Sequence, residues 1–180
     1  IKNNPWNVSR GFPGSHSIDL MQDKLIEWKL DGKLNVPFFD KSLRNGLGDR
    51  AFWRQESPDV LIIEGWFLGV NPLCMDSTNP ENFLPPLSPH ESSYRVNIQK
   101  NLEQYLNIWN LIDQIWHLKP VKFEYMNLWK SIQEKKMLIK RGSALQDKKL
   151  LNFLRMLNVS IPHKSFDDIN SDVLLLINQE

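Results

Sequence analysis

The chain has 180 residues, of which 41% are hydrophobic and 24% charged, the balance of a soluble globular domain with one sizeable core. Its 22 basic and 21 acidic residues leave a formal net charge of +1, so no global basic field recruits nucleic acid or an anionic membrane. The single cysteine, Cys74, excludes an internal disulfide framework and a cysteine-based zinc site, and it suits a reducing, cytoplasmic compartment.

Residues 1–15 read as loop, broken by Pro5, Gly11, Pro13 and Gly14. This stretch has no apolar signal-peptide core, and no run in the chain approaches the ~20 apolar residues that span a bilayer. It opens without Met on a polar, Pro-containing phrase, and we expect an N-terminally incomplete chain. The periodicity predicts a helix over residues 17–33, with Ile18, Met21, Leu25 and Trp28 on one face, Ser17 as N-cap and Gly32 at the end. A short strand is predicted at 36–39, followed by a loop over 40–58. Val60 to Ile63 form an uninterrupted β-rich run between Pro58 and Gly65, the pattern of a buried parallel strand.

Residues 68–93 hold five prolines and read as a long irregular excursion. An amphipathic helix is predicted over 93–113, with Ile98, Leu102, Tyr105, Trp109 and Ile112 on one face. A strand at 115–118, helices at 124–140 and 147–157, and a final buried strand within 172–179 complete the reading. Strands alternating with helices predict one α/β domain built on a mostly parallel sheet.

Four places carry candidate chemistry. Glu64 ends the 60–63 run, and the C-terminal edge of such a strand is where open α/β sheets bind ligands. A carboxylate there can hold Mg²⁺, or it can merely cap a neighbouring helix. Trp66, just beyond it, can line a pocket or belong to the core. Asp40 begins the loop DKSLRNGLGDR, where Lys41, Arg44 and Arg50 can bind carboxylate or phosphate; the alternative is a solvated surface loop. RGFPGSH places Arg10 and His16 before a helix N-terminus, itself an anion site. His16 can donate to a substrate oxygen, act as an acid or base, or bond only locally. Lys140 and Arg141, at a break between helices, can close over a nucleotide or simply complement a helix dipole. His90, His117 and His163 have no ligand spacing and read as structural. G-x-S-x-G and H-E-x-x-H are absent, which removes hydrolase and metalloprotease readings, and so is G-x-x-x-x-G-K-[ST], the phosphate-cradling loop.

In order, RGFPGSH, VPFFDKS…GLGDR and DVLIIEGWFLGVNP resemble the motifs of the D-glycerate 3-kinase family of P-loop kinases, with R-G-x-x-G-[ST]-H-D, [YF]-D-K-S…G-x-G-D-R and E-G-W-x-L-G-F. The likeness continues through NLEQYLNIWNLIDQIWHLKP and covers nearly the whole chain; uridine kinase, pantothenate kinase and phosphoribulokinase are more distantly similar. The resemblance implies a P-loop kinase-like parallel sheet flanked by helices, without its first strand and phosphate loop. It implies transfer of the γ-phosphate of ATP, with Mg²⁺, to a hydroxyl of D-glycerate or a similar hydroxy acid. By motif position, Asp40, Lys41, Arg50, Arg10, His16 and Trp66 serve the acceptor, Glu64 is the catalytic, metal-holding acid, and Lys140 with the lid residue Arg141 serves the nucleotide.

Two departures bear on this expectation. Ser17 stands where the family has Asp, which opens the acceptor's identity. At most nine residues precede Arg10, whereas the family's phosphate loop and the acidic segment expected to supply its base lie upstream. The alternatives are a P-loop kinase for another small acceptor, uridine- or pantothenate-like, and a non-catalytic remnant or binding protein. On this reading the 180 residues form the C-terminal portion of a small-molecule kinase.

Overall fold

The computed structural model describes residues 3–72 and 79–178, so Cys74 lies outside the described residues. Helix α1, Ile18–Asp31, follows the predicted periodicity and buries Ile18 and Leu25. It ends at Gly32 in the left-handed conformation, φ 73°, where its N–H donates to the Trp28 carbonyl at 2.8 Å. Ser17 stands at the predicted N-cap position, but its side chain makes no capping bond and its hydroxyl accepts from Arg50 instead.

Strand β1, Leu34–Asp40, pairs antiparallel with β2, Asp49–Glu56. The register shifts between Pro37 and Phe39, where a residue lacking an N–H sits with little loss in a bulged two-stranded ribbon. Residues 49–56 correct the predicted loop. DRAFWRQE has no apolar alternation and is almost wholly exposed, so the cross-strand ladder and the Phe38–Phe52 stack (5.1 Å) hold it, not burial.

The predicted buried strand at 60–63 is also corrected: the segment carries no ladder. Leu61 and Ile63 pack against the core, while Val60 and Ile62 face outward, Ile62 at 80% exposed. The β-rich residues fix the alternation, but a strand needs a neighbour's N–H and C=O groups, and none lies beside it among the described residues.

A 3₁₀ turn, Pro80–Asn82, interrupts the proline-rich stretch before α2, Pro89–Glu103. The single helix predicted over 93–113 is two pieces, α2 and the short α3, Leu106–Trp109. At the junction Gln104 and Tyr105 donate to the carbonyls of Asn101 and Leu102, three residues back. The chain then forms β3, Trp116–Pro120; α4, Tyr125–Arg141; α5, Asp147–Val159; α6, His163–Asp167; and β4, Val173–Ile177. β3 and β4 are parallel, with Trp116 opposite Val173 and Pro120 opposite Ile177. The α/β class and helix-flanked sheet are as expected, but the described strands form one parallel and one antiparallel pair rather than one continuous sheet.

The core gathers Trp6, Phe12, Phe67, Ile98, Leu102, Tyr105, Ile108, Met156 and Ile161 between the N-terminal loop, α2–α3 and α5. The parallel pair lies outside it. Leu174, Leu175 and Leu176 are all exposed, and because successive strand residues face opposite ways, both faces of β4 are bare. The expectation that this last strand is buried is therefore also corrected.

Glu91 fastens three elements. Its carboxylate accepts from Trp6 Nε1 at 2.9 Å, from Arg155 Nε at 2.9 Å and from the Ser88 N–H at 2.9 Å, completing a capping box on α2. Burial alone raises a carboxyl, but these bonds outweigh it and bring Glu91 down to about 2. A folded-state pKa below the unfolded 4.5 contributes stability that is full above about pH 4.5 and lost as pH falls toward 2. Glu91→Gln is therefore expected to cost roughly 1–3 kcal/mol at pH 7 and to flatten this acid limb, as measured by urea unfolding across pH. An unchanged acid limb would remove Glu91 from this role.

Candidate functional site

The RGFPGSH segment folds back on itself before α1. Ser15 Oγ accepts from the N–H groups of Gly11 (2.9 Å) and Phe12 (3.1 Å) and donates to the Phe12 carbonyl at 2.7 Å. Gly14 has φ +89°, and a Cβ there would lie 2.3 Å from Asn101 Nδ2, so a larger residue would have to displace the Asn101 side chain of α2 and take a strained backbone conformation.

Opposite it is the β1–β2 loop. Arg44, Asn45, Gly46 and Gly48 all take positive φ, and a Cβ on Gly48 would come within 2.5 Å of the Phe39 ring. Two arginines join the segments. Arg10 Nη1 donates to the carbonyls of Gly46 and Leu47, each at 2.9 Å, and Arg50 Nη2 donates to Ser17 Oγ at 2.5 Å. A guanidinium carries five N–H donors, so both retain capacity beyond these bonds. The structure thus brings Arg10, His16, Asp40 and Arg50 onto two facing, cross-bonded loops.

Asp40 Oδ1 accepts from Ser42 twice, from Oγ at 2.6 Å and from N–H at 2.8 Å. The Ser42 hydroxyl first, then its N–H, lower the Asp40 carboxyl below its ordinary value and keep it ionised. Lys41 next to it is exposed and close enough to lend positive potential to Glu134 on α4.

Trp66 anchors the RGFPGSH segment through a bond that the sequence did not suggest. Its Nε1–H donates to the Gly11 carbonyl at 2.6 Å, while its ring stands edge-on to Phe67 and stacks on Phe166. Glu64 and Trp66 line an apolar cavity of about 1120 Å³, bounded by residues 59–65, by β3 and by α6. Lys140 and Arg141 lie apart, at the end of α4 before the left-handed Gly142, lining a second cavity of about 510 Å³ with Trp129 and Met137. The two cavities share no lining residue.

Among the described residues no three His, Cys, Asp or Glu side chains gather into a metal cluster. Glu64 lines its cavity together with Asp59, Asp113 and Asp167, and its carboxylate is the hard oxygen donor that would suit Mg²⁺. No helix among the described residues is long and apolar enough to cross a membrane.

Sequence reasoning placed Tyr105 on a core face and missed its polar end. Tyr105 Oη is 2.8 Å from His16 Nδ1 and accepts the Gly14 N–H at 3.2 Å. A tyrosine, not a phenylalanine, on an otherwise apolar helix face was the available signal, since a buried phenol hydroxyl requires a partner.

No family model matches the chain. It is 27% identical over 167 residues to the uncharacterized kinase mug58 of Schizosaccharomyces pombe, an alignment covering 84% of this chain and 57% of that protein. It is 29% identical over 166 residues to the chloroplastic D-glycerate 3-kinase of Arabidopsis thaliana, covering 85% of this chain and 34% of the enzyme. The chain thus spans little more than half the length of the first of these relatives and about a third of the second. Among solved structures, D-glycerate 3-kinase from Cryptococcus neoformans superposes with a TM-score of 0.76 at 25% identity, over 98% of this chain and 68% of the enzyme. The resemblance read from the motifs is therefore borne out: in sequence and in fold, this chain is similar to D-glycerate 3-kinase and to a further protein named as a kinase.

Proposed function

We propose that the protein is an ATP-dependent kinase that phosphorylates a hydroxyl of D-glycerate or a similar small hydroxy acid, and that these residues form its acceptor side. The observation that carries this reading is the cross-bonding of two loops, one bearing Arg10 and His16, the other Asp40, Lys41 and Arg50. Guanidinium N–H groups on both loops suit a carboxylate, which an arginine binds by its planar fork. An ionised Asp40 beside them suits a hydroxyl, whose proton it can accept in a hydrogen bond. The likeness to kinases at 27–29% identity supports the reaction class.

Glu64 would hold Mg²⁺, and Lys140 with Arg141 would meet the nucleotide phosphates; when bound, the ion neutralises charge on the transferred phosphoryl group. The chain's own part is to fix the acceptor and dispose charge around it, since phosphoryl transfer asks mostly positioning of a protein. The cytoplasm is the compartment proposed, on the strength of the lone cysteine.

Ser17 favours a second reading, a kinase for a different small hydroxylated acceptor. Its hydroxyl holds Arg50 where the resembling family carries a carboxylate. ATP turnover by the complete open reading frame with D-glycerate, uridine and pantothenate separates the two. Turnover of D-glycerate alone supports the first; turnover of another acceptor alone replaces it, and no turnover of any of the three removes D-glycerate as the acceptor.

A further inference from the structure

His16 has two ring nitrogens, and which one carries the proton decides what it can do to a ligand. Three groups meet at the Tyr105 hydroxyl. The Gly14 N–H can only donate, and it takes one lone pair of Oη. Tyr105 is 3% exposed, so its own O–H also needs an acceptor, and the partner in reach is His16 Nδ1 at 2.8 Å. Oη also faces the backbone N–H of His16, so were Nδ1 protonated it would be one donor too many and the Tyr105 hydrogen would be left inside the core without a partner. The arrangement that satisfies every group has Gly14 N–H donating to Oη and the Tyr105 O–H donating to Nδ1. The rings reinforce it: the His16 imidazole stands perpendicular to Tyr105 and tilted against Phe67, which is itself edge-on to Tyr105.

We infer that Tyr105 is a positioning residue that locks His16 as the neutral Nε2–H tautomer, so that His16 offers an acceptor-site oxygen a hydrogen-bond donor and no base. The lone pair of Nδ1 is taken, and Nε2 has its hydrogen in place of a lone pair, so neither nitrogen can accept a proton without breaking the Tyr105 bond. Burial acts in the same direction, lowering His16 and raising Tyr105 from their ordinary values so that both stay neutral. The group that withdraws a proton from a substrate hydroxyl is therefore another one, while His16 recognises an oxygen. This rests on the acceptor-site reading above for its purpose, but not for its chemistry.

The test is two-bond ¹H–¹⁵N correlation on histidine-labelled protein at neutral pH, with the His16 signals identified by their loss in His16→Gln. The expected result is a protonated Nε2 and an unprotonated, hydrogen-bonded Nδ1 in the parent, with tautomer exchange appearing in Tyr105→Phe. In the same variant KM for the acceptor is expected to rise about 3- to 10-fold, the size of one hydrogen bond, with kcat little changed. An Nδ1–H or doubly protonated His16 in the parent overturns the inference even if the variant does not fold, and so does a Tyr105→Phe spectrum identical to the parent's. Failure of the parent protein to turn over D-glycerate counts against the functional reading alone and leaves the tautomer result standing.

Discussion

Asp40→Asn in the complete protein is expected to lower kcat by on the order of 10²-fold or more while the fold persists. Asp40 is half-buried at the end of β1, and its structural bonds are the two that Oδ1 accepts from Ser42, which an asparagine carbonyl can also accept. The substitution therefore removes charge and proton-accepting capacity with little change to the turn. Glu64→Gln is expected to act comparably by a different route. It replaces the one carboxylate at the end of the 60–63 segment by an amide, and an amide oxygen is a weaker ligand for a hard cation. The measurement is steady-state kinetics of both variants against each acceptor, with circular dichroism to show an unchanged fold. Wild-type kcat/KM in both variants, for every acceptor tested, would show that the site lies elsewhere.

Produced as these 180 residues alone, the chain is expected to self-associate or to unfold without a single cooperative transition. Among the described residues, β3 pairs with β4 on one side only, and residues 60–63 have no strand neighbour. Between them lies the cavity of about 1120 Å³, walled by Leu61, Ile63 and Leu118. Leu118 is 60% exposed and Leu176 65%, so apolar side chains and strand edges face water together. Such an edge is a template for another chain, and each backbone group buried there without a partner costs on the order of 1–3 kcal/mol. Light scattering after size exclusion, with urea unfolding followed by two probes, reads both alternatives. A monomer with one coincident transition would contradict the expectation.

The same groove explains which parts of the fold were legible. Helices α1, α4 and α5 were readable because each carries its own periodicity and, for α1 and α4, a closing glycine. The hairpin strand β2 was not, because its residues lie almost wholly in solvent and only the ladder to β1 defines it. The run at 60–63 misled for the opposite reason: its composition announces burial on both faces, but only Leu61 and Ile63 meet the core. The break at residues 104–105 was hidden as well, since the apolar face continues across it from Leu102 to Ile108.

Sequence alone determined the chemistry of this protein's candidate site. The acid after an apolar run, the Asp-Lys pair and the Arg- and His-bearing glycine loop are local strings, and their order gave the resemblance to a kinase family that the comparisons bear out. Only the tertiary structure decided which of those residues meet. It joined Arg10 to residues 36 and 37 positions away, set Arg50 on Ser17, and left Lys140 and Arg141 lining a separate cavity. It also set a core tyrosine against His16 across 89 positions. A hydrogen bond over that distance leaves no mark on the periodicity or spacing of either segment, because each is shaped locally by its own backbone. Their meeting follows from how the helices pack, which no short string encodes.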